Sequence, residues 1–399
     1  MPISTQADSA PTDITADAAN KQVLSQHAES RQLPLCVDLD GTLISSDLLW
    51  ESLLQLIRSK PWYLFLVPLW ILRGRAAFKA AIAAHIQLHP TSLPYNKALI
   101  EWLQQQRRLG RALWLCTAAD ESVATGIATH LEMFQGVLAS DGRCNLSGQN
   151  KAARLTLEFG HRGFDYCGNE HVDLHVWKCA NGAIVVGDTG ALAKEAAKFS
   201  AVLQRFPPVV LRRQALWRAL KARRWIKNLL VLLPLLALDA PGETPSVVNA
   251  ILAAISFCLC ASSGYIINDL LDLQADRAHA VNATRPFAAG DLSISTGVVV
   301  ASLLLMASLS VAWFLPINTT LALIAYFTLA VAYSWILKSH VVLRELALAT
   351  LNTLRLVTGA AAIDAPISTS TIALLIAIFM ALSFAKKYFH SHTTPRNRA

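Results

Sequence analysis

The residues best placed to do chemistry are Asp269, Asp272 and Asp276, preceded by Asn268, where the apolar run Ile251 to Ile267 gives way to a polar stretch. Their i, i+3, i+7 spacing puts the three carboxylates on one helical face, so negative charge crowds where hydrocarbon ends. Crowding of that kind calls for a cation. Mg2+ binds through a few carboxylates and completes its shell with phosphate oxygens, which makes the patch a cradle for a diphosphate-bearing substrate. A solvated helix end after an apolar run offers similar residues, and a D-x-x-D spacing is frequent. The neighbouring residues decide between the two.

A second set lies near the start. An apolar strand, Leu35-Cys36-Val37, ends in Asp38, Leu39, Asp40 and a Gly41-Thr42 turn. In a parallel α/β sheet, ligands gather at the C-terminal ends of strands. There Asp38 could attack a phosphoryl group and help to hold Mg2+, while Asp40 could protonate the leaving group and then activate water. Another strand, Ala112 to Thr117, ends in a hydroxyl suited to phosphate. Lys151, after Gly148, could neutralise phosphoryl oxygens, and the strand end Phe164 to Asp173 supplies Asp173, a carboxylate that could complete the metal site. An Asp-Gly turn after a strand is common on its own.

These residues need two different scaffolds. The 399 residues are 54% hydrophobic and 16% charged, an average typical of neither a soluble chain nor a purely membrane one. Up to about Phe206 the chain is mixed. Beyond Asn228 apolar runs dominate, and six candidate spans follow: Leu229 to Leu238, Val248 to Ile267, Val298 to Leu315, Thr320 to Ile336, Val341 to Ile363 and Ile372 to Phe384. A basic segment from Arg205 to Lys227 precedes them and predicts a cytoplasmic start. The alternate loops Asp239 to Pro245, Pro316 to Thr319 and Asp364 to Ser370 contain no Lys or Arg, so six spans with both termini cytoplasmic follow, and the aspartate cluster lies on the cytoplasmic side of an inner membrane.

The predicted organisation is therefore a disordered tail over residues 1–30, an α/β domain over 31–205, a basic linker over 206–228 and an all-α multi-pass membrane bundle over 229–399. The tail lacks the basic start and apolar core of a secretion signal. The net charge of +8 concentrates beside the membrane, which suits anionic lipid heads and phosphorylated substrates and argues against nucleic acid. Seven cysteines include no C-x-x-C pair, so neither disulfides nor a zinc site is implied.

Taken in order, the segments at Asp38-Leu39-Asp40-Gly41-Thr42, Thr117, Lys151 and Gly168 to Asp173 resemble the haloacid dehalogenase (HAD) phosphatases. That resemblance implies a Rossmann-like parallel sheet with a helical cap, Asp38 as nucleophile, Asp40 as acid and base, Thr117 and Lys151 as phosphate ligands, and Asp38, Asp40 and Asp173 at Mg2+. Many members have Gly-Asp where this chain has Gly168-Asn169. The segment Pro61 to Leu72 falls where these enzymes insert a cap. With Trp62, Tyr63 and Trp70 followed by Arg73 and Arg75, it suits a membrane interface and a buried cap helix equally.

In the second half, N-D-x-x-D-x-x-x-D, the Arg224 to Asn228 segment, Arg285-Pro286 and Tyr333-Ser334 with Lys338 resemble the UbiA superfamily of intramembrane prenyltransferases. The resemblance implies Mg2+-diphosphate at Asp269, Asp272 and Asp276, with Asp269 and Asp272 catalytic. Arg344-Glu345 and Arg355 to Gly359, together with His279 and Arg285-Pro286, look closest to the branch that moves 5-phosphoribosyl from phosphoribosyl diphosphate to a polyprenyl phosphate. Asn268, Arg285, Lys338 and Glu345 are then the substrate-binding residues. Glu345 and Arg355 lie in an apolar run, where each costs roughly 2.5 to 3.5 kcal/mol, so they are expected to face a polar cavity or each other. His279-Ala280-Val281-Asn282 replaces the family's His-Pro-x-Lys, and about six spans stand where the superfamily has nine, so the bundle is expected to be truncated.

The implied function is a phosphoribosyl transfer at the membrane followed by removal of the 5-phosphate by the fused phosphatase, with polyprenyl phosphate, phosphoribosyl diphosphate, Mg2+ and the lipid bilayer as partners. Two alternatives remain at this stage: an aromatic prenyltransferase with a prenyl diphosphate donor, and a membrane-tethered phosphatase with an inactive transferase.

Overall fold

The computed structural model describes residues 33–86, 88–141, 143–237 and 244–393. The expected tail over 1–30, most of the loop Asp239 to Pro245 and the polar ending at 394–399 lie outside the described residues. The described residues form two compact units: 33–44, 70–84 and 95–208 make one, and 45–69, 85–94 and 209–393 the other. Two stretches that lie within the first half of the sequence thus cluster with the second. The longer of them contains helix α1 (Leu48–Ser59), which Asp47 caps by accepting the amides of Leu49 and Trp50 at 2.9 and 3.3 Å. Pro61, which disfavours helix at the residue before it, follows its end.

The first unit is built on a six-stranded parallel sheet: β1 (Leu35–Val37), β2 (Leu113–Asp120), β3 (Gly136–Ser140), β4 (Asp165–Gly168), β5 (Gly182–Val186) and β6 (Ala201–Phe206), in spatial order β3-β2-β1-β4-β5-β6. β1 and β5 are buried throughout, as continuous apolar strands of a covered parallel sheet should be. Register pairs Val37 with Leu115 on one side and with Cys167 on the other. The chain winds outward from β1 to β3 and then crosses back to β4, so the switch point falls beside β1, where such sheets bind ligands. Phe164, Tyr166, Leu155, Val176 and Trp177 form the core below it. At the opposite, N-terminal ends of the central strands Arg111 and Asp165 form a buried ion pair.

Of the cap segment, Pro61–Phe65 is a 3-10 turn and Val67–Leu72 a short helix. Trp70 is buried, but Trp62, Phe65, Leu69 and Leu72 are exposed, so the segment is not a buried helix.

In the second unit the short helix α3 (Leu273–Ala278) follows the long helix α2 (Thr244–Leu271), and the further long helices are α4 (Ile294–Ala312), α5 (Ile317–Trp335), α6 (Val341–Ala362) and α7 (Thr369–Thr393). Among the described residues three helices are long and apolar enough to cross a membrane, at Ser246–Leu271, Ile294–Ala312 and Ile317–Trp335. The other expected spans take different forms. Leu229 onward continues a 3-10 stretch, Ala222–Ala237, that contains Pro234; α6 carries Arg344, Glu345 and Arg355; α7 contributes a shorter apolar run, Thr369–Ala385.

Small residues let these helices approach. Ser256 and Ser308 each donate to the other's carbonyl at 2.8 Å, and Ser263 donates to Ala301 O at 2.7 Å, which joins α2 to α4 through hydrogen bonds that lipid cannot supply. At Gly359 a Cβ would collide with the Val231 backbone, so only glycine lets the 3-10 stretch lie against α6.

Candidate functional site

In the first unit, the turn after β1 carries Asp38 and Asp40, with Gly41 at φ +72° completing a bend that an L side chain would strain. Lys151 stands in the first turn of the helix Gln149–Phe159, entered through Gly148 at φ +54°. Its Nζ donates to Asp38 Oδ1 at 2.7 Å and to the Tyr166 hydroxyl at 2.9 Å. The Tyr166 hydroxyl donates in turn to Asp173 Oδ1 at 3.0 Å, and Asp173 Oδ2 accepts the amides of Asn169 and Glu170 at 2.9 and 3.0 Å. Asp38, Lys151 and Asp173 are therefore one connected, buried network.

Burial raises the Asp38 pKa to about 6; the Lys151 ammonium works against that rise and Asp173 adds to it. Burial opposes the Lys151 charge, but Asp38 and Asp173 outweigh it and hold the ammonium above its ordinary value. Burial likewise keeps the Tyr166 phenol protonated, well above its usual range. Thr117, buried two residues beyond the Val37 partner Leu115, accepts the Ala119 amide at 2.9 Å. Asn169 is fixed by Thr42, whose Oγ1 donates to its Oδ1 at 2.9 Å. Tyr166 was not legible as a site residue, since an aromatic in an apolar strand carries no signal of its own.

The second unit holds a cavity of about 600 Å3. Asn268, Asp272 and Asp276 line it from the end of α2 and from α3, Asn282 and Arg285 from the following loop, and Tyr333, Ser334 and Lys338 from the end of α5 and beyond. Arg224 and Lys227 enter from the 3-10 stretch, Asn352 and Arg355 from α6, and Phe379 and Ser383 from α7. The carboxylates do not ride one continuous helix: α2 stops at Leu271, and Asp272, at φ −93° and ψ 6°, breaks it before α3 begins.

Cations surround the break. Arg285 Nη1 donates to both Asp276 oxygens at 2.7 and 2.9 Å and lies 3.3 Å from Asp269 Oδ1, which also accepts Lys221 Nζ at 2.6 Å. Lys338 pairs with Asp272, and Ser334 donates to Asn268 Oδ1 at 2.9 Å. Asp269 is 1% exposed, and its Oδ2 has no hydrogen-bond partner. A buried carboxylate oxygen left bare is costly, and a cation is the group it fits. Among the described residues no three His, Cys, Asp or Glu side chains converge as a ready metal cluster in either unit. The aspartates in these positions face ammonium and guanidinium groups instead.

Glu345 and Arg355 of α6 do not meet. Glu345 accepts Arg344 at 2.8 and 3.0 Å and Ser383 Oγ at 2.5 Å, behind the cavity wall. Arg355, 5% exposed, donates to Asn228 Oδ1 at 3.1 Å, Leu351 O at 3.0 Å and Asn352 Oδ1 at 2.6 Å, with the Phe257 and Tyr326 rings 5.7 Å away. Each of these acceptors is neutral. Lys221, Arg224 and Lys227 read in the sequence as a topological signal or a motif flank; the fold turns them into cavity and carboxylate partners.

A family model described as the UbiA prenyltransferase family matches residues 228–393. The chain is 33% identical over 379 residues to "Uncharacterized protein y4nM" of Sinorhizobium fredii, covering 94% of this chain and 73% of that protein. It is 37% identical over 155 residues to the decaprenyl-phosphate phosphoribosyltransferase of Mycolicibacterium smegmatis, across 38% of this chain and 49% of the relative, so it spans about half of that protein's length. A solved UbiA homolog from Archaeoglobus fulgidus, bound to DMAPP and Mg2+, aligns at TM-score 0.38 and 21% identity over 41% of this chain and 60% of its own. With that family match across residues 228–393, the helical half of this protein is a UbiA prenyltransferase family domain.

Proposed function

We propose that the second unit transfers a 5-phosphoribosyl group from phosphoribosyl diphosphate to a polyprenyl phosphate, and that the first unit then removes the 5-phosphate. The observation that carries this reading is the charge layout of the cavity. A bare carboxylate oxygen on Asp269 lies behind it, while Arg355, on its wall, is a buried guanidinium with neutral partners. A buried charge without a counter-ion is unfavourable, so the cavity suits two anions of different kinds. One is a metal-bound diphosphate at the aspartates; the other is a phosphate monoester at Arg355. The partial match to a phosphoribosyltransferase that acts on decaprenyl phosphate supports the same pair.

Asp269, Asp272 and Asp276 would hold Mg2+, which when bound would supply positive charge for a diphosphate. Arg285 and Lys338, already beside those carboxylates, take up the charge of its oxygens. Arg355, Asn352 and Asn228 orient the lipid phosphate, whose oxygen bonds to C1 of the ribose as the C1–O bond to diphosphate breaks and that electron pair departs with diphosphate. In the first unit Asp38 attacks the 5-phosphate, Lys151 and Thr117 hold its oxygens, and Asp40 protonates the released alcohol and then activates the water that frees phosphate. Mg2+ would sit with Asp38, Asp40 and Asp173.

Mass spectrometry of the lipids formed by the full-length protein in polyprenyl-phosphate membranes tests the sequence of steps. The wild type should yield polyprenyl-phosphoryl ribose, Asp38→Asn should stop at its 5-phosphate, and Asp272→Asn should yield neither. Dephosphorylated product from Asp38→Asn, or any product from Asp272→Asn at the wild-type rate, contradicts the proposal.

A further inference from the structure

Helix α1 comes from the first half of the sequence, yet its polar stripe is matched to the acidic segment of the second unit residue by residue. Glu51, Gln55 and Arg58 recur at i, i+4 and i+7 and share one face. Glu51 accepts Arg277 Nη1 and Nη2 at 2.8 and 2.6 Å, Gln55 accepts Gln274 Nε2 at 3.1 Å, and Arg58 Nη1 donates to Leu271 O at 2.5 Å while standing 3.9 Å from Asp272 Oδ1. As α1 ascends its partners descend, so the two segments run antiparallel in a fixed register.

That register falls on the break. Leu271 is the last residue of α2, and a helix end leaves carbonyls without partners at the negative pole of its dipole. A guanidinium satisfies both demands, and Arg58 brings it from 213 positions away. The other end of the register is held by Glu51 and Arg277, whose side chains are 2% and 7% exposed; Arg277 Nε also donates to Ala288 O at 3.1 Å, tying α3 to the loop beyond Arg285. None of the three α1 residues lines the large cavity.

The geometry points to α1 as a positioning element of the transferase: Arg58 sets the helix break that presents Asp272, and Glu51 anchors the short helix that presents Asp276. This rests on the reading of the aspartates as the diphosphate site. The segment that the sequence threads between β1 and β2 thus belongs to the same compact unit as the carboxylates that it holds.

The test uses the full-length chain in nanodiscs and two readouts: hydrogen exchange across residues 271–278 without substrate or metal, and kinetics with phosphoribosyl diphosphate. Arg58→Ala should speed exchange in that segment and raise the donor KM roughly ten-fold, as loss of an outer partner of a ligand does. Its kcat should stay within about two-fold, and Arg58→Lys should restore both readouts. Glu51→Gln should speed the same exchange. Unchanged exchange or an unchanged donor KM in Arg58→Ala overturns the inference, as does a lower yield of protein whose KM is normal. Asp272→Asn separates the two levels: full transfer by that variant sinks the donor-site reading, whereas its inactivity beside a silent Arg58→Ala sinks only the role of α1.

Discussion

Glu51 and Arg277, 226 positions apart in the sequence, meet in a two-pronged ion pair at 2.6 and 2.8 Å with both side chains almost wholly buried. Removing one member strands the other charge in a site closed to water, a loss of ~3–5 kcal/mol. Arg277→Met should therefore lower the apparent Tm of the bundle, read by tryptophan fluorescence in nanodiscs. The exchange Glu51→Arg with Arg277→Glu should recover part of the loss. An unshifted Tm in the single variant would show that the pair contributes little.

How much of this was open to sequence reading varies from residue to residue. Asp38, Lys151 and Asp173 carried a signal because strand ends and turn glycines are local features, and the fold joins them through buried contacts. Tyr166, which links Lys151 to Asp173, carried none. The aspartates of the second half were equally visible, but their expected single helical face was not realised: the break at Asp272 coincides with a hydrogen bond from Arg58, a long-range contact that no period in the sequence encodes. Six spans were expected from apolar length and the charge of the loops. Pro234 and the charges of α6 belong to segments that apolar length describes poorly.

The acid limb of the phosphatase step should follow Asp38. A nucleophilic carboxylate must be ionised, and burial has moved this group up to about 6, so hydrolysis should fall as pH drops through about 6 rather than near 4. Lys151 opposes that rise. Lys151→Met should leave the burial and Asp173 effects opposed only by the Leu39 amide and move the limb to higher pH, besides slowing the reaction. A pH–rate profile with a phosphate monoester checks both, and an acid limb still near 4 in the wild type would contradict the assignment.

Under the proposed reaction Arg355 serves one of the two anions and the aspartates the other. Arg355→Ala removes a charged hydrogen-bond donor worth roughly 1.5–3 kcal/mol, so the KM for polyprenyl phosphate should rise about 10- to 100-fold. The donor KM should change far less, because Arg285 and Lys338 remain with the aspartates. Steady-state kinetics with each substrate varied in turn would show this, and a rise confined to the donor KM would reverse the assignment.

Gly359 sets the distance between α6 and the 3-10 stretch that brings Arg224 and Lys227 to the cavity and Asn228 to Arg355. A methyl group there must push the Val231 backbone away, an overpacking that costs ~1–3 kcal/mol. Gly359→Ala should lower the apparent Tm in nanodiscs and weaken lipid-phosphate binding, since Asn228 holds Arg355. A variant as stable and active as the wild type would mean that the contact relaxes freely.

The most direct measurement is transfer of label by the purified full-length protein in vesicles containing polyprenyl phosphate, comparing ribose-labelled phosphoribosyl diphosphate with a labelled prenyl diphosphate. Ribose label should pass into the lipid fraction, depend on Mg2+ and vanish in Asp269→Asn, while prenyl label stays with its donor. Transfer of the prenyl label alone, or ribose transfer undiminished in Asp269→Asn, would contradict the phosphoribosyl assignment of this cavity.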